Sequence, residues 1–175
     1  EGSRGLGDVY KRQIEEGSKK KVRQINYWTM GLIYCGVLPG TIILGLSRFG
    51  TQYFVGLLLL SFLTDTFAYF GGRLFGKHAL APLISPKKTL EGGFAGLVGG
   101  SLGGFLFLNQ LDHKSQPLLL ALTCISISLT SQVGDLFESA LKRDSGIKDS
   151  GKILPGHGGV LDRIDGVLFA APLLY

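Results

Sequence analysis

The sequence is poor in the residues that cross-link secreted domains or ligate soft metals. Its 175 residues include only two cysteines, Cys35 and Cys124, and both lie inside apolar runs. Disulfide scaffolds need a higher cysteine density, and structural zinc sites need clustered ligands. Both classes are therefore excluded, and we interpret the two cysteines as buried thiols.

Acidic residues are also scarce, with 13 Asp and Glu against 18 Lys and Arg and a formal net charge of +5. Such an excess suits a nucleic-acid binder, but here the basic residues lie between long apolar stretches rather than along one polar helix face. The 45% apolar content and the 27 glycines also depart from an ordinary soluble domain. We expect an integral membrane protein whose partner is anionic lipid or nucleotide, with no nucleic acid.

Apolar segments near the minimum spanning length recur along the chain, since a transmembrane helix needs about 20 residues. Four are candidates, and a fifth begins at Gly166: residues 28–46, 53–70, 93–108 and 117–133. Buried helices of a soluble protein are the alternative. The segments predict an all-α, polytopic membrane protein with about five transmembrane helices.

The basic residues alternate strongly between the connecting segments. The segments before residue 28 and at 71–92 and 134–165 hold 16 of the 18 Lys and Arg, and the other two loops hold 2. The positive-inside rule places the basic segments in the cytoplasm. Both long polar loops then face the cytoplasmic side of a bacterial inner membrane or an equivalent membrane.

The two ends of the chain differ from the rest. Residues 1–27 lack the apolar core of a signal peptide, and we expect a non-native or cytoplasmic basic leader there. The final apolar run is too short to span a bilayer. Residues 28–175 are therefore expected to be one membrane-embedded region, truncated at both ends.

A glycine repeats every fourth position at Gly92, Gly96, Gly100 and Gly104. Such a stripe lets another helix backbone approach closely. It can serve packing inside one chain or a homodimer, and the sequence leaves both open.

Two carboxylate pairs at helical spacing bracket the polar segment 134–165. They are Asp135 with Glu138 and Asp162 with Asp165. Residues three apart share a helix face, so convergence of the pairs would form an oxygen-lined site for Mg²⁺. Solvated helix carboxylates are the alternative, but both pairs adjoin apolar segments, where unpaired charge is costly. For the same reason Asp65 needs a partner such as Arg73 or a cation-bearing cavity.

Cations and glycines lie between these pairs and in the 71–92 loop. Arg and Lys bind phosphate oxygens, and glycines let backbone N–H groups approach an anion. In the earlier loop Lys87 and Lys88 supply charge, Ser85 and Thr89 supply hydroxyls, and Glu91 can orient a lysine. The alternative is a basic loop that sets topology or attracts lipid headgroups.

Several of these blocks, in this order, resemble the signature of the phosphatidate cytidylyltransferase (CDP-diacylglycerol synthase) family. The matching stretches are Ser139-Ala-Leu-Lys-Arg143, Lys148-Asp149-Ser-Gly151, Leu154-Pro-Gly-His-Gly-Gly159 and Asp162-Arg-Ile-Asp165, preceded by Asp65-Thr-Phe-Ala-Tyr-Phe70, Gly72-Arg-Leu-Phe-Gly-Lys77 and Ser85-Pro-Lys-Lys-Thr-Leu-Glu-Gly92. Together they cover residues 65–165. The resemblance implies a nucleotidyltransferase that uses CTP and phosphatidic acid.

The resemblance also implies roles for individual residues. Catalytic groups are expected at Lys142, Arg143, Lys148, Asp149 and Arg163; substrate contacts at Ser85, Lys87, Lys88, Thr89, Glu91, Ser139 and His157; and metal ligands at Asp135, Asp162 and Asp165. Mg²⁺ is the expected cofactor, and a second cation is left open. His157 is not expected to act as a general base, because the attacking phosphate is already ionised. Another CTP-using lipid enzyme and a non-enzymatic transporter or lipid-binding scaffold are the rival functions.

Overall fold

The structure is a computed structural model of the chain. It describes residues 2–111, 116–147, 150, 151, 159 and 161–174, with the side chains of 2–15, 163 and 174 left out. The described chain forms two units, residues 1–39 and 40–175. The predicted site residues that are described all belong to the second unit.

Helices dominate the described chain. They are α1 (Gly2–Leu32), α2 (Leu38–Phe49), α3 (Thr51–Phe75), α4 (Leu90–Leu111), α5 (Pro117–Asp144) and α6 (Leu161–Ala170), with a π-helical turn at Ile33–Val37 and a 3₁₀ turn at Ala171–Leu174. Four helical stretches are long and apolar enough to cross a membrane: Glu16–Phe49, Thr51–Phe75, Leu90–Leu111 and Pro117–Asp144. The all-α, polytopic prediction is confirmed. The fifth predicted segment forms the shorter apolar helix α6.

Helices α3 and α4 pack closely because the glycine stripe removes side chains between them. A β-carbon at Gly96 would lie 2.7 Å from the carbonyl oxygen of Thr64 on α3, and one at Gly104 would overlap Leu60. The contacts run in opposite directions along the two helices, so α3 and α4 are antiparallel. The stripe is thus occupied by packing inside the chain, so the homodimer that the sequence left open has no support from it.

The core of the second unit lies where α3, α4, α5 and α6 meet. Leu57, Leu60, Ile127 and Val167 are almost completely buried there. Hydroxyl groups are buried beside them, and the Oγ1 of Thr64 lies 2.9 Å from the Oγ of Ser128. Cys124 is buried as predicted, whereas the prediction for Cys35 is wrong, because this residue is exposed on the first unit.

A short β-hairpin joins α3 to α4. Strand β1 (Ala79–Ala81) pairs antiparallel with β2 (Ser85–Thr89), with an irregularity in register between the two paired positions. The expected polar loop therefore has regular structure. Because the hairpin connects the C-terminal end of α3 to the N-terminal end of α4, its side chains lie at that end of the helix bundle.

Candidate active site

A cavity of about 530 Å³ lies between the β-hairpin and the adjoining parts of α3, α4 and α5. Polar side chains come from α3, β2 and α5, whereas α4 contributes only Gly92 and Gly93. These polar side chains are Asp65, Tyr69 and Arg73 from α3, Ser85, Lys87, Lys88 and Thr89 from β2, and Gln132 and Asp135 from α5. Five residues predicted from the sequence to contact substrate or metal are therefore brought to one cavity.

An ion pair joins the hairpin to α5 inside this cavity. Lys88 Nζ contacts the Oδ2 of Asp135, and both side chains are about one-third exposed. Asp65 on α3 interacts electrostatically with both partners. The expectation that Asp65 needs a cation-bearing cavity agrees with this arrangement. The alternative partner, Arg73, instead donates from Nη1 to the Tyr69 hydroxyl at 3.1 Å.

Carboxylates from three helices concentrate negative charge beside the cavity. The charge of Asp135 acts on Asp65 and on Asp165, which is buried in the middle of α6. Asp165 Oδ1 accepts the N–H of Gly166 at 2.7 Å. Lys88 is the side-chain cation that pairs with this cluster among the described residues. Hard oxygen donors with excess negative charge suit Mg²⁺.

The donor chemistry therefore fits a magnesium ion, although the side chains are not gathered around one point. Within the described part of the chain, no three His, Cys, Asp or Glu side chains lie close enough to hold a single metal ion. The assignment of Asp135, Asp162 and Asp165 as metal ligands stays a prediction. Asp65 adds a carboxylate that the predicted ligand set omitted.

Lys142 forms a second cluster with Glu138 and Asp162. Its Nζ pairs with the Oε2 of Glu138 one turn earlier on α5, and donates to the Oδ1 of Asp162 at 2.9 Å. The Glu138 side chain is only 3% exposed. Lys142, predicted to bind phosphate, therefore neutralises two carboxylates in this structure.

Asp162 is held by backbone donors as well. Its Oδ2 accepts the N–H of Ser150 at 3.1 Å and that of Gly159 at 2.9 Å. Desolvation opposes ionisation of this carboxyl, but the hydrogen bonds from Lys142 and from the backbone N–H groups of Gly159 and Ser150 outweigh it and hold the pKa of Asp162 well below its usual range. The carboxylate ties residues 150 and 159 to the start of α6.

Three other predicted residues have structural contacts. The Thr89 Oγ1, besides lining the cavity, accepts the N–H of Gly92 at 3.1 Å and caps α4. Glu91 contacts His78 and lies outside the cavity lining. Arg143 Nε donates to the carbonyl oxygen of Ile84 at 3.2 Å, which joins the end of α5 to the turn of the hairpin.

The remaining predicted residues are not brought to the cavity or lie outside the description. Ser139 is half-buried on α5 and does not line the cavity. Lys148, Asp149 and His157 lie outside the described residues, as does the side chain of Arg163. Their predicted roles stay predictions.

Sequence reasoning did not select Tyr69, Gln132 or His78. Tyr69 and Arg73 are four residues apart on α3, and this spacing predicts side-chain contact on a helix. Gln132 gave a weaker signal, because it lies about one turn before Asp135 in an otherwise mostly apolar stretch. His78 carried no signal, since its contact depends on the hairpin.

Together, the apolar helices and the cavity with its cations and carboxylates define a membrane protein with a polar site suited to phosphate groups and a hard cation. Residues 7–175 match the model of the cytidylyltransferase family, and the chain belongs to this family. The resemblance noted in the sequence is thereby confirmed.

Curated relatives agree with this assignment. The chain is 49% identical over 125 residues to the phosphatidate cytidylyltransferase of Staphylococcus haemolyticus, a match covering 71% of the chain and 48% of that protein. It is 46% identical over 125 residues to the phosphatidate cytidylyltransferase of Staphylococcus aureus strain COL, with the same coverage of both proteins. The chain spans about half the length of the curated relatives it matches.

Proposed function

We propose that the protein containing this chain transfers CMP from CTP to phosphatidic acid, forming CDP-diacylglycerol and pyrophosphate. The observation that carries the proposal is the cavity at the end of the helix bundle, which Lys87 and Lys88 line together with Asp65 and Asp135. The names of the relatives support this choice of nucleotide and lipid. A cavity at the end of apolar helices suits a reaction between a water-soluble and a membrane-bound substrate.

In this reaction an oxygen of the phosphatidic acid phosphate attacks the α-phosphorus of CTP. The bond from the α-phosphorus to the bridging oxygen breaks, and pyrophosphate leaves with the electron pair. The attacking oxygen carries no proton that must first be removed, so no general base and no covalent enzyme intermediate are needed. The main barrier is electrostatic, because an anion approaches a polyanion.

The basic side chains of the cavity lower this barrier by binding and orienting phosphates. Lys87 and Lys88 would hold the nucleotide phosphates, and Arg73 adds a planar cation on the α3 wall. Asp65 and Asp135, which line the cavity, would hold Mg²⁺, and Asp162 and Asp165 are the further predicted ligands. When bound, Mg²⁺ supplies positive charge that offsets the charge of the phosphates.

The lipid would enter from the side of the bundle with its acyl chains still in the bilayer. The α3 helix carries exposed apolar residues near the cavity, including Phe70, Leu74 and Phe75. The basic loops favour a cytoplasmic orientation of the site. A reporter fused within residues 109–116 should lie on the opposite side of the membrane, and a cytoplasmic signal from it would contradict this orientation.

The test of the proposed function is product analysis with the full-length protein. The detergent-solubilised protein should release pyrophosphate from CTP when phosphatidic acid and Mg²⁺ are present, and mass spectrometry should detect CDP-diacylglycerol. CDP together with a phosphorylated lipid alcohol would indicate a lipid kinase instead. No turnover of CTP by a folded preparation would favour a transporter or scaffold.

A further inference from the structure

The base of the β-hairpin is closed by one carboxylate. Glu91, in the first turn of α4, has its Oε1 2.6 Å from the Nδ1 of His78, and its Oε2 accepts the backbone N–H groups of Lys77 at 3.1 Å and of His78 at 3.3 Å. In return, the carbonyl oxygen of His78 accepts the N–H of Leu90 at 2.9 Å. The chain entering the hairpin is thus fastened to the chain leaving it.

The hairpin needs such a fastening because its own pairing is short. Its strands have three and five residues, and the register between them is irregular. A two-stranded hairpin alone is marginally stable. Two other contacts hold it: the Lys88–Asp135 ion pair and the bond from Arg143 to the Ile84 carbonyl.

These three attachments differ in what a bound nucleotide would do to them. A phosphate on Lys88 competes with Asp135 for the same ammonium group. The Glu91–His78 contact lies outside the cavity lining, so it can persist while the substrate is bound. The Glu91–His78 contact is therefore suited to hold the hairpin in place when a nucleotide phosphate displaces Asp135 from Lys88.

We propose that Glu91 and His78 are positioning residues that fix the hairpin over the cavity, so that Lys87 and Lys88 are preorganised for the nucleotide phosphates. The proposal rests on the proposed function, because it assumes that the hairpin binds CTP. It replaces the predicted substrate contact of Glu91 with an indirect role. Glu91 acts through the backbone of residues 77 and 78 and through the ring of His78.

If Glu91 and His78 served only the stability of the fold, their loss would destabilise the helix bundle and leave the nucleotide affinity of the folded protein unchanged. The His78 side chain is 73% exposed and that of Glu91 is 27% exposed, and exposed ion pairs contribute little to global stability. Loss of the contact should therefore loosen the hairpin locally and leave the helix bundle folded. The effect should appear in nucleotide affinity and in the exchange of hairpin amides.

The experiment compares Glu91→Ala, His78→Ala, the double variant and Glu91→Gln in the full-length protein. Lys77→Ala is the matched control, because Lys77 contributes its backbone N–H and its exposed side chain has no described contact. We measure KM for CTP, KM for phosphatidic acid, kcat, and hydrogen–deuterium exchange of residues 79–89 without substrate. Exchange within α5 reports whether the bundle remains folded.

Each Ala variant should raise KM for CTP about tenfold, the effect of losing roughly 1.4 kcal/mol of preorganisation. KM for phosphatidic acid and kcat should change less than about twofold, a shift worth under half a kcal/mol. Hairpin amides should exchange faster while those of α5 do not. The double variant should be no worse than Glu91→Ala, and Glu91→Gln should recover most of the affinity, since its amide oxygen can still accept the two backbone N–H groups.

Faster hairpin exchange with an unchanged KM for CTP would overturn the proposal, and so would a raised KM with unchanged exchange. Additive effects in the double variant would overturn the pairing of the two residues. If the full-length protein does not turn over CTP at all, the proposed function fails. Normal hairpin exchange in the Ala variants would then separately overturn the positioning role of Glu91 and His78, because this measurement needs no substrate.

Discussion

Removing the Lys142 ammonium group should destabilise the bundle because it leaves Glu138 as an uncompensated buried charge. In Lys142→Met, Asp162 keeps its two backbone donors from residues 150 and 159. Glu138 is only 3% exposed, and its oxygens have no hydrogen-bond donor apart from this ion pair among the described residues. Most of the loss should therefore come from Glu138.

Removing one partner of a buried ion pair typically costs 3–5 kcal/mol, and the partial exposure of Lys142 favours the lower end, about 3 kcal/mol. Replacing both partners removes the unpaired charge. The double variant Lys142→Met with Glu138→Leu should therefore recover at least half of the lost stability, roughly 1.5 kcal/mol or more. The double variant should not regain turnover if Lys142 also serves catalysis, as the family resemblance implies.

Unfolding of the full-length protein in mixed micelles, titrated with dodecyl sulfate and followed by circular dichroism, measures these differences. The two single variants and the double variant form a cycle whose coupling energy isolates the pair. A loss below about 1 kcal/mol in Lys142→Met would refute the reasoning from burial, since such a value is typical of exposed pairs. A double variant no more stable than Lys142→Met would refute it as well.

Other parts of the structure give further predictions. Gly96→Val should lower stability by about 1–3 kcal/mol in the same titration, because its β-carbon meets the α3 backbone. Gly40→Ala, where a β-carbon meets open space, should be neutral or stabilising by up to about 1 kcal/mol. Equal effects of the two substitutions would contradict the packing argument. Lys87→Ala and Lys88→Ala should each raise KM for CTP about tenfold through loss of a charged hydrogen bond, and unchanged values would mean that the hairpin does not bind nucleotide. Asp65→Asn should reduce magnesium-dependent turnover by about 10–100-fold, and normal magnesium dependence would exclude Asp65 from the metal site.

The helices were largely predictable because a membrane requires long apolar segments. The helices nevertheless extend past the apolar stretches: α3 continues to Phe75 and α5 to Asp144. Hydropathy did not detect these extensions, because the added residues include two glycines and Arg73 on α3, and Lys142, Arg143 and Asp144 on α5. The hairpin was missed because residues 85–89 lack alternating apolar positions and contain Pro86.

The residue types of the site were predictable from the sequence, but the contacts between particular cations and carboxylates were less so. Sequence reasoning selected Lys87, Lys88 and Asp135, but the contact of Lys88 with Asp135 joins residues 47 positions apart and depends on tertiary structure. In the same way, spacing put Asp162 and Asp165 on one helix face, yet Asp162 contacts Lys142 while Asp165 lies near Asp65 and Asp135. Which cation neutralises which carboxylate is decided by helix packing.

The position of the hairpin between α3 and α4 makes residues 76–89 an insertion between two helix ends that already touch. Gly72 and Gly92 bring those ends together, with a β-carbon at Gly92 only 2.6 Å from the Ala68 carbonyl oxygen. The chain leaves and re-enters the bundle at almost one point, so the length and sequence of the insertion are weakly constrained by the membrane part. If the hairpin binds nucleotide as proposed, replacement of this segment alone can alter the contacts to the nucleotide while α3 and α4 stay packed, provided that its two ends keep their small residues.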